Sequence, residues 1–243
     1  MKIGILTLRL FKNYGGILQN YALSRFLQKN GYDVETINIV WSYQLNGVKK
    51  YFVWLKRLVR NMLIGKWYSL DEEKILRNNE LVAAQRVNAF KEKNIPLSQK
   101  VYSLPGADFS DISNKYDTII VGSDQVWRPK YTGGIEKYFL SFADNRIKKI
   151  AYSASFGTDK NEYSFYEKWV CGKLIKRFDA ISVREESAIS LIREQLHWDV
   201  DVIQTLDPTM LLDITDYKSL VGQVVNNNKI FVYILDSSVQ KIS

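Results

Sequence analysis

A short apolar run, Ile3–Leu8, is followed closely by Asn13-Tyr14-Gly15-Gly16-Ile17-Leu18-Gln19-Asn20-Tyr21-Ala22-Leu23, and this junction constrains the fold more than any other part of the 243 residues. A continuous apolar run of that length is expected of a strand covered on both faces. Beyond the glycines, Leu18, Ala22 and Phe26 recur at steps of four, with Leu23 and Leu27 beside them, and Asn30-Gly31 supplies a stop. Val34–Val40 then reads as a second strand. A strand–helix–strand unit of this size predicts two parallel strands. The glycine-bearing turn also predicts an anion site, because glycine lets the backbone approach a ligand and a helix start offers unpaired N–H groups at the positive end of its dipole. Asn13, Tyr14, Gly15 and Gly16 are expected to shape that site. The alternative is an ordinary turn in which Asn13 caps the helix and the glycines only permit tight packing. The spacing is not G-x-G-x-x-G, so nothing here points to a dinucleotide.

Strand-like and helix-like segments alternate along the rest of the chain. Lys49–Trp67 is a basic, aromatic-rich helix candidate, with Lys49, Lys50, Lys56, Arg57 and Arg60 on one side and Phe52, Leu55, Leu58, Val59, Met62 and Leu63 opposite. Asp71–Lys93 reads as a longer helix ended by Pro96. Together they predict a helical insertion after the second strand. Strands are expected at Asp117–Val121, Lys149–Ser155, Ala180–Val183 and Asp199–Leu206, and helices at Phe165–Phe178 and from Arg184 to about Leu196. The fold class is therefore α/β: Rossmann-like, doubly wound, with a mainly parallel sheet. In such sheets ligands bind at the carboxyl ends of the strands. Leu6-Thr7, Gly122-Ser123-Asp124 and Ser153-Ala154-Ser155 should then share one rim. Asn226-Asn227-Asn228 reads as a linker and Lys229–Leu235 as a fresh strand, which divides the chain into a domain of residues 1–225 and the start of a second at 226–243.

Composition narrows the setting. Lys and Arg number 34 against 26 Asp and Glu, a net charge of +8 that suits anionic partners or simply a solvated basic surface. Cys171 is the single cysteine, which excludes an intrachain disulfide and a multi-cysteine zinc site. It reads as a small core residue. No Asp/Glu/His cluster has metal spacing, so no metal is expected. Met1–Leu8 is too short for a secretory h-region and no run reaches the ~20 apolar residues of a membrane span. The expectation is a soluble, cytoplasmic protein.

Five motifs occur in order: NYGGILQNYAL, VGSDQVW at Val121–Trp127, YSASFG at Tyr152–Gly157, SVRE at Ser182–Glu185 and LDPTMLL at Leu206–Leu212. Together they resemble the polysaccharide pyruvyl transferase family, from Lys2 to about Asp236. The resemblance implies two Rossmann-like halves facing a cleft, as in GT-B glycosyltransferases, with this chain as the N-terminal half. It implies transfer of a pyruvyl group from phosphoenolpyruvate, a co-substrate rather than a cofactor, to two hydroxyls of a sugar in an exopolysaccharide or cell-wall glycan, giving a ketal. The glycan acceptor can be lipid-linked. The family's histidine in a Ser-Phe-His-Gly-like motif has no counterpart here, where His197 is the one histidine and reads as a surface residue.

Ketal formation needs the donor's anionic groups held, a proton delivered to its methylene carbon, and protons taken from the sugar hydroxyls. The resemblance makes Arg184 a donor ligand, since its planar fork matches carboxylate or phosphate. The alternative is an ion pair with a nearby carboxylate. Asp124 is a candidate base or acceptor for a sugar hydroxyl, or else an Asx-turn or cap. Trp127 is a candidate for stacking on a sugar ring, or else packing. Gln19, Ser123, Ser153 and Ser155 complete the expected substrate-binding set. Asp207-Pro208 looks like the family's interdomain hinge. The Lys49–Trp67 segment has two readings, a helix packed on the domain or one lying on an anionic membrane at its inner face. Competing functions are a nucleotide-sugar glycosyltransferase of GT-B type and a non-catalytic, anionic-glycan-binding remnant. No recognised nucleic-acid motif is present, and no nucleic acid is expected.

Overall fold

Most of the runs expected as strands enter one six-stranded sheet. The computed structural model describes residues 1–11, 13–41, 85–103, 109, 112 and 114–221. The strands are β1 (Lys2–Leu6), β2 (Asp33–Thr36), β3 (Ile39–Trp41), β4 (Val101–Ser103), β5 (Thr118–Gly122), β6 (Lys148–Ala154), β7 (Ala180–Val183) and β8 (Ile203–Gln204). The main sheet has the order β2-β1-β5-β6-β7-β8, and every pairing in it is parallel. β3 and β4 form a separate parallel pair. The α/β fold with a mainly parallel sheet is as the sequence predicts. The order runs outward in both directions from β1 and β5, so the switch point lies between them.

Alternation along the strands builds two cores. Ile3, Ile5 and Ile120 pack with Leu23 of α1 (Tyr14–Lys29) and Val34 on one face. Leu6, Ile119, Val121, Ala151 and Val183 point to the other face, into a larger core. There the aromatic rings interlock. Trp127 stacks on Phe139 at 5.0 Å between ring centroids, Phe156 lies at 5.5 Å from Trp127, and Trp198 sits 5.6 Å from Phe139 and 5.4 Å from Tyr163. The polar ends of these rings are satisfied. Trp127 Nε1 donates to the Tyr138 carbonyl at 3.2 Å and the Tyr163 hydroxyl donates to the Trp127 carbonyl at 2.5 Å. Buried aromatics of this kind contribute their area and an oriented contact together.

Helix termini follow local chemistry. Asn13 caps α1, accepting from the Gly16 amide. After the short α2 (Pro129–Thr132), α3 (Phe165–Ile175) opens with a reciprocal capping box between Ser164 and Glu167. α4 (Glu186–Ser190) continues into a π turn at Leu191–Gln195. Cys171 lies on the inner side of α3, wholly buried, and burial pushes its thiol well above the ordinary range.

Two sequence expectations change. Val34–Val40 is not one strand. The chain leaves the main sheet after Thr36, whose amide donates to the Pro96 carbonyl at 2.6 Å, and resumes as β3 beside β4. Asp199–Leu206 yields only the two-residue edge strand β8, because its register with β7 holds just Ser182↔Ile203 and Val183↔Gln204. Of the expected insertion, residues 85–94 are helical. The Lys49–Trp67 segment lies outside the described residues, as do Asn226–Asn228 and Lys229–Leu235. The chain divides into two units, Met1–Leu212 and Asp213–Ser243. The described part of the second holds a short helix, α5 (Ile214–Lys218).

Trp127→Ala should lower folding stability by about 3–5 kcal/mol, the usual cost of emptying a fully buried aromatic site; urea unfolding of the two proteins measures it, and a loss below 1 kcal/mol contradicts a packing role. Cys171 should resist a thiol reagent such as dithionitrobenzoate at pH 8 in native protein and react promptly in urea, since the thiolate is the reactive form.

Candidate active site

The carboxyl ends of β1, β5, β6 and β7 deliver their loops to one edge, where two hydrogen-bonded groups, Asn13 with Asp124 and the set around Arg184, meet through the Ser123–Asp124 backbone. Asn13 follows β1 and Asp124 follows β5. Asn13 uses both ends of its amide. Its Oδ1 accepts from the Gly16 amide at 3.2 Å and its Nδ2 donates to Asp124 Oδ2 at 3.0 Å. Asp124 Oδ1 accepts from the Gln125 amide at 2.8 Å. The cap reading of Asn13 holds, and the same side chain also reaches Asp124. Gly16 is required by this contact, since a Cβ there would sit 2.6 Å from Asp124 Oδ2 and 3.0 Å from Asn13 Nδ2. Gly15 and Tyr14 lie exposed on the same turn.

Arg184 stands at the end of β7 and ties the other strand ends together. Its Nη1 donates to the Ser123 carbonyl at 3.1 Å and its Nη2 to Ser155 Oγ at 3.3 Å. Its Nε donates to Glu185 Oε1 at 2.7 Å, and Nη1 lies 3.6 Å from Asp207 Oδ2. The ion-pair alternative for Arg184 is what the structure holds, and the same side chain borders a cleft. Ser155 Oγ is a hub: it donates to Glu185 Oε1 at 3.0 Å and accepts from the Gly157 amide at 3.0 Å. Gly157 has φ +63°, a left-handed conformation that suits glycine.

Asp207 completes the second group. Its Oδ1 accepts from the amide and hydroxyl of Thr209 at 3.0 and 2.7 Å, which starts the turn Pro208–Met210. Its Oδ2 accepts a hydrogen bond from Gln19 Nε2, 188 residues away in sequence. Asp207 thereby tethers the chain beyond β8 to α1. An open cleft of about 620 Å³ lies beside it, lined by Tyr152, Arg184, Gln204, Thr205, Leu206, Asp207 and Leu211. Burial, and then the Asp207 charge, raise the Tyr152 phenol above its ordinary value, so it stays a neutral donor; its hydroxyl donates to the Leu206 carbonyl at 3.2 Å.

The expected set therefore separates. Asn13, Gly16, Gln19, Ser123, Asp124, Ser155 and Arg184 belong to these two groups, and Tyr14 and Gly15 sit on the exposed turn. Trp127 is a correction: it is fully buried among Phe139, Phe156 and Phe178 and has no face to offer a sugar. Ser153 is also drawn away from the rim. It is the extra residue of a bulge, since β6 takes three steps from Ala151 to Ala154 while β7 takes two from Ile181 to Val183. Its φ is +51°, its amide donates to Ser182 Oγ at 2.9 Å, and its own hydroxyl is buried without a partner. The bulge resets the strand so that Ser155 meets Arg184. Sequence reading missed Glu185 as part of the site, along with Tyr152, Gln204 and Thr205; the run of polar residues at the ends of neighbouring strands was the available signal. Among the described residues no group of three or more His, Cys, Asp or Glu is arranged to hold a metal ion.

The polysaccharide pyruvyl transferase family model matches residues 13–242, and the chain belongs to that family. No curated protein matches the sequence. Among solved structures, it is similar to an α-glucosyltransferase in complex with UDP and a 13-mer DNA, with 13% identity, a TM-score of 0.45, and coverage of 92% of this chain and 46% of that one. A second, an α-glucosyltransferase in complex with UDP, gives 11% identity, a TM-score of 0.41 and coverage of 90% and 46%. A third, with UDP-glucose and DNA containing an abasic site, gives 12%, 0.41, 92% and 46%. The chain spans about half the length of these structures, and likeness at this level says nothing about ligand or reaction.

Asn13→Ala should cost about 1 kcal/mol through the lost cap, and Gly16→Ala should displace Asp124 from Asn13. Calorimetric melting and a two-dimensional NMR spectrum of the Gly122–Gln125 amides test this pair; unchanged amide shifts in Gly16→Ala contradict the close approach.

Proposed function

We propose that this chain forms the arginine-bearing wall of the site at which a pyruvyl group passes from phosphoenolpyruvate to two hydroxyls of a sugar, with a glycan of the cell surface as acceptor. One observation carries the reading: in a chain of this family, Arg184 borders the cleft with its guanidinium shared among Ser123, Ser155, Glu185 and Asp207.

The chemistry defines what each group does. The donor's methylene carbon gains a proton and becomes a methyl group. The adjacent carbon is attacked by one sugar hydroxyl, phosphate leaves with the C–O bond pair, and the second hydroxyl closes the ketal. Two hydroxyl protons are lost in total, one matching the methyl proton and the other leaving with inorganic phosphate. Arg184 holds the donor carboxylate or phosphate, exchanging a carboxylate of the protein for one of the ligand. Tyr152, kept neutral, donates to the same anion or to the departing phosphate. Asp124, half-buried and oriented by Asn13 and the Gln125 amide, accepts from a sugar hydroxyl. The exposed turn at Tyr14 and Gly15 faces the acceptor.

Among the described residues lining this cleft, Arg184 is the one cation, whereas the donor brings both a carboxylate and a phosphate. The remaining positive charge is assigned to a facing second half, as the family architecture implies. The chain alone should therefore bind phosphoenolpyruvate weakly.

Titration calorimetry should find phosphoenolpyruvate binding that Arg184→Lys weakens about 10- to 100-fold, the value of a charged hydrogen-bonded contact. Phosphate release should appear only when donor and a diol-bearing glycan are both present. Equal affinity in Arg184→Lys, or phosphate release without acceptor, contradicts this reading.

A further inference from the structure

α3 carries a second feature, unrelated to the cleft. Its apolar residues are spread around the whole helix rather than gathered on one side. Cys171 and Ile175 face inward and are fully buried. Phe165, Tyr166 and Trp169 face outward and are 89%, 62% and 54% exposed. A helix apolar on both sides is normally covered on both sides. Three large aromatics exposed within five residues make a patch that calls for an occupant.

The surroundings of the patch define its chemistry. A groove of about 380 Å³ is lined by Phe165, Lys168, Trp169, Gly172, Lys173, Lys176, Leu196, His197 and Trp198. Among the described residues, three lysines border it and no carboxylate lines it. Lys173 Nζ lies 3.7 Å from the centre of the Trp169 ring, a cation–π contact. Lys168 Nζ donates to the Gln195 carbonyl at 2.8 Å, which keeps its stem against the groove. The groove floor is rigid. The Trp198 indole crosses under Gly172, where a Cβ would meet Trp198 Nε1 at 2.6 Å, and it donates to the Lys168 carbonyl at 3.0 Å. Exposed aromatics set among lysines are the composition of surfaces that rest at the boundary between lipid headgroups and acyl chains.

We propose that the outer face of α3 docks the protein on an acidic lipid bilayer. Phe165, Tyr166 and Trp169 enter the interfacial zone, and Lys173, Lys176 and Lys168 meet the anionic headgroups. Charge complementarity selects this occupant: the groove is cationic and the chain as a whole carries +8. Because α3 connects the parallel strands β6 and β7, its first turn stands at the sheet end where the cleft opens. The inference does not depend on the pyruvyl-transfer reading.

Co-sedimentation of the full chain with vesicles tests it. The protein should sediment with phosphatidylcholine vesicles that contain phosphatidylglycerol, and not with phosphatidylcholine alone. Added salt should release it, as expected for headgroup charges screened beyond a Debye length. Phe165→Ser/Trp169→Ser and, separately, Lys173→Glu/Lys176→Glu should each weaken binding by about tenfold or more. These side chains are exposed, so far-UV circular dichroism should be unchanged. Failure of the wild type to bind acidic vesicles overturns the proposal. So does equal binding by both variants, which would place the membrane contact elsewhere on the chain. Concentration-dependent self-association that both variants abolish, in the absence of vesicle binding, would assign the face to a second copy and equally overturn it.

Discussion

A sheet whose strands all run the same way sends every strand-to-helix loop to a single edge, and this constraint shapes the rest of the molecule. β1, β5, β6 and β7 are paired in parallel register, Leu6 beside Val121, Val121 beside Ala151, Ala154 beside Val183. The residues that follow them have nowhere else to go. Asn13, Asp124, Ser155 and Arg184 therefore meet although they are scattered over 171 positions of sequence. The apolar halves of the same strands are buried on both faces, which fixes register, since a slip by one residue would turn each core side chain to the wrong side. Stability and site geometry rest on the same ladder.

Much of this was legible in the sequence, and the limits are instructive. The first strand, the glycine turn and α1 could be read because a doubly buried strand is apolar throughout and a helix on its surface has a four-residue rhythm. Arg184 could be read as a cleft residue because it lies where a strand pattern yields to a helix pattern. Trp127 could not be placed. It follows the polar run Gly122–Gln125, and only the three-dimensional packing of Phe139 and Phe156 turns it inward. Val34–Val40 looked like one strand because β-branched residues recur along it. What interrupts it is a contact with Pro96 and Ser98, too distant in sequence for periodicity to register.

Other features had no local signal at all. The bulge at Ser153 depends on one extra residue in β6 relative to β7, and a count within one strand does not reveal it. The pairing of Gln19 with Asp207 joins opposite ends of the first unit. Glu185 was visible as a neighbour of Arg184, yet its function as a holder of the guanidinium and of Ser155 emerges only from the geometry. Local rules thus located the site's edge and several of its members, while tertiary contacts decided which side chains complete it.

The guanidinium at the cleft is never bare. Glu185 binds its Nε and Asp207 stands 3.6 Å from its Nη1, so any incoming anion enters by substitution, with resident carboxylates as incumbents. Substitution of this kind sets a threshold. If Arg184 holds the donor as proposed, the two acidic side chains placed against it would favour a compact multiply charged molecule over small monovalent ions, raising selectivity at some cost in raw affinity.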